Sequence, residues 1–347
     1  MKKQTRNLLV GSAAAILLAG NAIASELLPK IVPAPADNPT TADKVKLGKQ
    51  LYFDPRLSVD GTVSCNSCHN IMASGTDNRP TSAGVKGQRG GRNAPTVWNA
   101  AFMTAQFWDG RAATLEDQAK GPPLNPIEMG MPSEAALVER LNAIPGYVTQ
   151  FKAVFGGKDA VSYNNMAKAI AAFERTLITR NSPYDRYLAG DKSAMPEQAL
   201  RGMKVFEQSG CNACHNGPNF AGPISLPTGQ GFYQKFPTFD SKYVKQYNLS
   251  EDKGRYEVTK DKADMHMWKV QTLRNVAVTA PYFHNGSVKT LNEAVHVMAK
   301  TQLNLDLSDK DAADLVAFLE SLTGQFPEIT LPRLPETDGN SLVGSVK

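Results

Sequence analysis

Cysteine is scarce in this chain. Its 347 residues include four cysteines, and all four fall in two copies of the motif Cys-x-x-Cys-His, at Cys65–His69 and Cys211–His215. No thiol is left over for a structural disulfide, although an exported protein could form one. A zinc knuckle would place its second ligand pair nearby, whereas these pairs are 146 residues apart.

Net charge is also low. The formal charge is +5, and three of the basic residues, Lys2, Lys3 and Arg6, lie in the first 24 residues, which contain no acidic residue. Removing these three positive charges would leave +2. A chain this close to neutrality lacks the basic surface of a nucleic-acid-binding protein, so we expect no nucleic acid as partner.

Long hydrophobic runs are missing as well. The longest apolar stretch, Leu8–Ala19, is too short to span a bilayer comfortably. It follows the basic N-terminus and precedes the small-residue sequence Ala22-Ile23-Ala24, the order of parts in a secretory signal peptide. We predict cleavage after Ala24 and a periplasmic protein. The alternative is an uncleaved N-terminal anchor.

Convincing strand patterns are absent, and helical spacing of apolar residues dominates. Residues 26–40 are rich in proline and predict an extended arm, and residues 70–92 and 216–262 predict loops. We predict helices at 42–52, 114–119, 134–142, 163–179, 197–207, 290–299 and 309–322, the last capped by Ser308.

The two Cys-x-x-Cys-His motifs are typical of covalent haem attachment. In such sites the thiols bind the haem vinyl groups, and the histidine supplies an axial nitrogen to the iron. Half of a zinc site or a redox dithiol is the alternative for a single motif, and the adjacent histidine favours haem. We therefore predict two haem c groups, one held by Cys65, Cys68 and His69 and the other by Cys211, Cys214 and His215.

The two halves of the chain share more than the motif. Residues 47–53 resemble 201–206, and residues 108–115 align without gaps on 284–291. An Arg-Asn pair precedes each of the later blocks, at 92–93 and 274–275. This order of parts predicts a mainly α fold with two cytochrome c-like haem domains in tandem, related by internal duplication. The predicted limits are 1–24 for the signal peptide, 25–190 for the N-terminal domain and 191–335 for the C-terminal domain.

The duplication makes one difference informative. Met298 lies 12 residues after Gly286, whereas the residue 12 after Gly110 is Pro122. A methionine thioether can be the second axial ligand of a haem iron and raises its reduction potential, whereas proline cannot ligate. We predict a six-coordinate His215/Met298 iron for electron transfer and an open distal face at the His69 iron. Met265 and Met267 compete with Met298 for the ligand role.

An open haem that cleaves a peroxide needs a group that moves a proton between the two oxygens. Residues after Trp108 offer Glu116, Asp117, Gln118 and Glu128. Glu128 has apolar neighbours, which should raise its pKa. Spacing alone does not separate Glu128 from Glu116.

At this point the chain resembles the bacterial di-haem cytochrome c peroxidases over nearly all of its predicted mature length. The residues that carry the resemblance are the two haem motifs and the segments 92–96 (Arg-Asn-Ala-Pro-Thr), 106–111 (Gln-Phe-Trp-Asp-Gly-Arg), 273–277 (Leu-Arg-Asn-Val-Ala) and 279–286 (Thr-Ala-Pro-Tyr-Phe-His-Asn-Gly).

The resemblance implies a periplasmic enzyme that reduces hydrogen peroxide to water. Its electrons would come from a small cytochrome c or a cupredoxin, and the enzyme would be a homodimer. Glu128 and Gln118 would line the distal side of the His69 haem, and Trp108 would relay electrons between the haems. One calcium ion would lie between the domains, bound by the Asn93 side chain and the carbonyl oxygens of Thr279 and Pro281.

One position departs from the family. Many members carry a distal histidine in the loop after the first motif, and Val85 stands where we place it. Valine cannot ligate iron, and the neighbouring Lys86 could do so only if deprotonated. The remaining histidines lie in the second half: His284 could contact a haem edge or propionate, and His266 and His296 are expected to be ordinary surface or packing residues.

Two other functions stay open on the sequence. One is a di-haem oxidase of the type that matures tryptophan tryptophylquinone, but such enzymes have a tyrosine where Met298 stands. The other is a di-haem electron carrier without catalysis, which would need a sixth ligand in the first half.

Overall fold

The computed structural model describes residues 26–339, so the predicted signal peptide lies outside the described residues. Within that range no helix is both long and apolar enough to cross a membrane. The fold is mainly helical, as predicted. The helices are α1 Ala42–Phe53, α2 Cys65–Cys68, α3 Leu115–Ala119, α4 Gly121–Leu124, α5 Glu134–Asn142, α6 Pro145–Phe155, α7 Tyr163–Glu174, α8 Pro183–Leu188, α9 Glu197–Gln208, α10 Lys242–Gln246, α11 Tyr256–Thr259, α12 Leu291–Leu303 and α13 Asp309–Glu320.

Helices α1 and α7 form the central pair of the first half. They cross at Gly48, where an added Cβ would lie 1.8 Å from the carbonyl oxygen of Ala169 and 3.0 Å from Cβ of Phe173. Leu47, Leu51 and other apolar residues of the pair are completely buried in one large cluster. The glycine therefore permits a close backbone contact that no other residue would allow.

Helices α9 and α13 form the corresponding pair of the second half. They cross at Gly202, where an added Cβ would lie 1.8 Å from the carbonyl oxygen of Asp314 and 2.9 Å from Cβ of Phe318. Ser308 caps α13 by accepting a hydrogen bond from the backbone N–H of Asp311, as predicted. In each half, a glycine thus permits the close approach of the two main helices.

Two loop segments also match in detail. Asn99 and Asn275 have φ of 63° and 62°, each precedes a short 3₁₀ turn, and each lies 11 residues before a glycine with positive φ. Both side chains donate hydrogen bonds to the buried hydroxyl of Thr179, at 2.8 and 2.9 Å. The structural counterpart of Asn275 is therefore Asn99, and the pairing of Asn275 with Asn93 was out of register.

The expectation of no strands was wrong. Strands β1 Tyr233–Lys235 and β2 Met267–Lys269 form a two-stranded antiparallel ribbon, with Tyr233 opposite Lys269. Each strand is only three residues long and lies next to segments rich in glycine, proline and lysine, which hides the period-two pattern. The segment 216–262 also contains helices α10 and α11.

Helix α7 ends five residues before the predicted limit. Arg175 caps it, and the chain then turns so that the backbone N–H of Thr179 donates to the Asn99 side chain at 2.9 Å. Helix α8 lies inside the segment 181–196, where the sequence predicted a domain boundary. The start of α8 could have been predicted from the sequence, because Ser182 and Asp185 form a capping box and proline occupies the first helical position.

Both ends of the described chain lie on the first half. The arm before α1 lies against α7 and the turn after it, where Arg175 donates to the Pro33 carbonyl and Arg180 to that of Leu28, each at 3.0 Å. The C-terminal segment returns, with its Arg333 carbonyl accepting from Gln50 at 2.8 Å. The contact between Gln50 and Arg333 thus joins the two predicted domains. The domain limits themselves stay a prediction.

Candidate haem sites

The first motif folds as the one-turn helix α2, which ends at Cys68 and has His69 as its C-cap residue. Ser64 and Ser67 form a capping box at its start. His69 Nδ1 lies 2.9 Å from the carbonyl oxygen of Pro95, and because a carbonyl can only accept, Nδ1 carries the proton. The ring therefore keeps a bare Nε2, the arrangement that suits an axial iron ligand.

The second motif repeats this arrangement. His215 Nδ1 donates to the carbonyl oxygen of Phe220 at 3.1 Å. Burial lowers the pKa of His69 and of His215, so both rings are neutral, as metal ligation requires. Burial also raises the pKa of Cys68 and of Cys211 to about 11. These residues fit the attachment of a haem in each half.

A large, mostly apolar cavity opens beside the second motif. Cys211, Cys214, His215 and Met298 all line it. Of the competing methionines, neither Met265 nor Met267 lines this cavity. A thioether on α12 therefore shares the space with the histidine of the motif.

The Glu128 carboxylate is close enough to the first motif to act electrostatically on both of its thiols. Burial is the main cause of the raised pKa of Cys68, and the Glu128 carboxylate contributes to it. Burial also raises the pKa of Glu128 itself, against the opposing effects of Arg111 and of a 2.7 Å hydrogen bond that Asn125 donates. The carboxyl group is thus a weak acid beside the first haem position, as its apolar flank predicted.

The rival carboxylate, Glu116, is committed elsewhere. It is buried on α3 and forms an ion pair with Arg175 at 2.7 Å. Asn38, from the N-terminal arm, donates to it at 2.6 Å. The structure therefore distinguishes Glu128 from Glu116 as the candidate proton-transfer group, which their positions in the sequence could not do. Gln118 lies half-buried on the same helix, and the hydrogen bonds of the described residues include none from its side chain.

The loop that carries Val85 packs directly on the Glu128 segment. Val85 is buried, and its N–H donates to the Glu128 carbonyl at 2.9 Å. Gly84 lets the two backbones meet, since an added Cβ there would lie 1.9 Å from the carbonyl oxygen of Ile127. The Lys86 side chain is exposed, and its residue has a left-handed φ of 58°. In this structure the Lys86 side chain is therefore in solvent and not buried beside His69.

Aromatic side chains meet where the two halves join. The Trp108 indole donates to the Asn93 carbonyl at 2.9 Å and lies edge-on to Trp268 and His284, with ring centroids 6.3 and 6.4 Å away. Trp268 stacks on His284 at 4.2 Å. Trp108 and His284, which align in the repeat, are thus neighbours in the fold. Sequence reasoning missed Trp268 because it lies outside the haem motifs, the repeated blocks and the segments that carry the family resemblance.

A chain of charged residues surrounds this aromatic group and was also missed. Arg92 bridges Asp109 at 2.5 Å and Asp252 at 2.7 Å, and its guanidinium lies over the Trp268 ring at 5.0 Å. Arg111 donates to the same Asp109 oxygen at 2.9 Å and to the second oxygen at 3.1 Å. Arg92 and Asp109 lie in the two first-half segments that carry the family resemblance, 92–96 and 106–111. Their opposite charges were the sequence feature from which this ion pair could have been predicted.

The three residues expected to bind calcium line the same cavity as His215 and Met298. Asn93, Thr279 and Pro281 all contribute to its wall. The Asn93 amide nitrogen donates to the Arg79 carbonyl at 2.8 Å, which turns the amide oxygen the other way. Among residues 26–339 there is no cluster of three or more His, Cys, Asp or Glu side chains that could hold a metal. Calcium ligation by amide and carbonyl oxygens therefore stays a prediction.

Comparison with known proteins agrees with this picture. A family model described as di-haem cytochrome c peroxidase matches residues 42–193. Cytochrome c551 peroxidase of Pseudomonas aeruginosa is 47% identical over 311 residues, which cover 89% of this chain and 86% of that protein. Cytochrome c551 peroxidase of Nitrosomonas europaea is 45% identical over 312 residues, covering 90% and 89%.

The fold is similar to a solved one as well. A crystal structure described as that of a MauG-like protein associated with microbial copper homeostasis superposes with a TM-score of 0.75 at 31% identity. The match covers 86% of this chain and 95% of that protein. Similarity therefore extends well beyond the part of the chain matched by the family model.

Proposed function

Because the chain belongs to the di-haem cytochrome c peroxidase family, we propose that it reduces hydrogen peroxide to water with electrons from a small soluble donor. Each turnover consumes one peroxide, two electrons and two protons and yields two waters. The observation that carries the proposal is the asymmetry of the two halves. Glu128, whose pKa burial raises, acts electrostatically on the thiols of the first motif, whereas Met298 lines a cavity with the second motif.

Cys65, Cys68 and His69 would hold one haem and Cys211, Cys214, His215 and Met298 the other. When bound, the first haem supplies an iron at which the peroxide O–O bond is cleaved, and the second supplies the electrons. Both histidine rings are preset for ligation by hydrogen bonds to backbone carbonyls. Two such half-domains, related by an ancestral duplication, are supported by the matching glycine crossings at Gly48 and Gly202.

Glu128 would take a proton from one peroxide oxygen and return it to the other. Its Oε1 is engaged by Asn125, which fixes the carboxyl group and leaves Oε2 for proton exchange. A pKa raised by burial brings the group closer to neutral pH, where proton uptake and release are balanced. Gln118 would supply an amide on the same side, as the family resemblance implies.

Trp108 would relay electrons between the halves. It touches residues of both halves, with Asn93 on one side and Trp268 and His284 on the other. One calcium ion, held by Asn93, Thr279 and Pro281, would stabilise the same junction. We further propose a periplasmic location, a small cytochrome c or cupredoxin as donor, and a homodimer.

The proposal is tested with the purified holoenzyme. Haem analysis should give two covalent haems per chain, and peroxide should be consumed at the expense of a reduced small cytochrome c, two electrons per peroxide. A protein with two haems that transfers electrons but consumes no peroxide would instead be an electron carrier. A protein with one haem would contradict the assignment of the sites.

A further inference from the structure

Lys269 is a buried lysine in the wall of the cavity that His215 and Met298 line. It ends strand β2 and is only 4% exposed. Its backbone N–H donates to the Trp108 carbonyl at 2.9 Å, which fixes the strand against the junction of the halves. Its neighbours Trp268 and Val270 line the same cavity.

The Lys269 ammonium group has no counterion of its own. Among the hydrogen bonds of the described residues, its Nζ makes one, to the Gln271 side-chain oxygen at 3.3 Å. Asp109 is the carboxylate that acts on it electrostatically, but Asp109 is already paired with Arg92 and Arg111. Burial lowers the pKa of Lys269 to about 7. An ammonium group this deeply buried is costly unless an anion lies beside it.

A second polar group in the same cavity also lacks a partner. His284 is 2% exposed, and its Nε2 is buried without a hydrogen-bond partner. Both His284 and Lys269 line the cavity that contains His215 and Met298. The buried Lys269 ammonium without an adequate acceptor indicates that an anionic or strongly accepting group belongs in this space, and the unpartnered His284 nitrogen is a second polar atom that such a group could satisfy.

We propose that Lys269 binds a propionate carboxylate of the second-half haem and thereby tunes its reduction potential. This inference rests on the proposed haem at His215 and Met298. Propionates are the carboxylates that a haem brings into its cavity, and they carry the negative charge that the cavity wall lacks. Lys269 is a positioning residue, because it acts on the cofactor and not on peroxide.

Contact between Lys269 and a propionate should change the reduction potential of the second-half haem. Reduction adds an electron to the haem, so an unneutralised propionate nearby opposes it. A lysine that neutralises the propionate therefore favours the reduced state and raises the potential. Its removal should lower the potential of the second haem and leave the first less affected, because coupling between charges falls with distance.

The test compares Lys269→Met with Lys235→Met in the holoenzyme. Lys235 lies on the paired strand β1 and is exposed, so its substitution removes the same charge from the same ribbon. The readouts are the midpoint potential of the methionine-ligated haem and the propionate bending band in the resonance Raman spectrum. We expect Lys269→Met to shift the redox equilibrium about tenfold toward the oxidised form, which is about 59 mV for a one-electron couple.

Lys269→Met should also move the propionate band, whereas Lys235→Met should change neither readout. Lys269→Arg should keep most of the potential, since it restores a cation. An unchanged potential and band in Lys269→Met, or equal shifts in both methionine variants, would overturn the proposal. If Lys269→Met fails to retain haem, Lys269→Gln provides the same readouts with a neutral donor. A wild-type protein without a methionine-ligated haem would instead refute the proposed function.

Discussion

Two glutamates of the first half, the half-buried Glu128 and the buried Glu116, allow a paired test of where proton transfer occurs. We expect Glu128→Gln to lose turnover and keep its stability, and Glu116→Gln to do the reverse. Each substitution replaces a carboxylate by an amide of nearly equal size. The chain thus provides its own control, because both residues lie in the first half, Glu116 on α3 and Glu128 in the turn after α4.

The expected size of each effect follows from the contacts. The Glu128 side chain accepts one hydrogen bond, from Asn125, which a glutamine oxygen can also accept. Its stability should therefore change by less than about 1 kcal/mol. Loss of the proton-transfer group should lower kcat by roughly 10²–10⁴-fold, about 3–5 kcal/mol of activation free energy.

Glu116→Gln would leave a buried cation without its counterion. Arg175 and Glu116 have side chains only 5% and 9% exposed and lie 2.7 Å apart. Breaking such a pair costs about 3–5 kcal/mol of unfolding free energy. Turnover per folded molecule should stay near the wild-type value.

The assays are steady-state peroxide reduction with a reduced small cytochrome c and denaturant unfolding of the same holoenzyme samples. In the wild type, kcat/KM should fall as the pH drops below the raised pKa of Glu128, because the ionised form accepts the proton. Near-native turnover in Glu128→Gln would refute the assignment. Equal loss of turnover in both variants would show that disruption of the first half, and not proton transfer, limits the rate.

Three further outcomes follow from other sites. Burial raises the pKa of Glu174 to about 8, so its native state holds a proton that the unfolded state releases from about pH 4.5 upward. Glu174→Gln should therefore stabilise the protein on the order of a few kcal/mol at pH 8 but little at pH 4, measured by denaturant unfolding. Gly202→Ala should cost about 1–3 kcal/mol or more because its Cβ overlaps the Asp314 carbonyl, whereas Gly90→Ala, with open space around it, should cost little. Met298→His should lower the higher of two midpoint potentials in a redox titration, and a single two-electron wave in the wild type would contradict unequal haems.

The sequence predicted the helices with clear caps and the residues with covalent or ligating chemistry. Helix α13 starts at Ser308 as expected, because a capping serine followed by acidic residues stabilises that end. The haem motifs stand out because attachment chemistry depends on residue type and spacing alone, and Met298, which lines a cavity with His215, stays a predicted ligand. The raised pKa of Glu128 followed from its apolar neighbours.

Features that depend on distant contacts could not be read in the same way. Helix α7 is shortened by the bond between Thr179 and Asn99, residues 80 positions apart. Glu116 and Glu128 could be separated only when Arg175 and Asn38 were seen to engage Glu116. Short strands such as β1 and β2 depend on each other for pairing and leave almost no local pattern.

The measurement that most directly tests the account is the reaction of the fully oxidised holoenzyme with hydrogen peroxide, followed in the Soret band by stopped flow. Val85 and Pro122 offer no ligand, and Lys86 is exposed, so the first iron should be five-coordinate or water-bound and high-spin. The account predicts an immediate Soret change without prior reduction. A low-spin first haem that stays unreactive until one electron is added would contradict it and would show that the Val85 loop still gates the site.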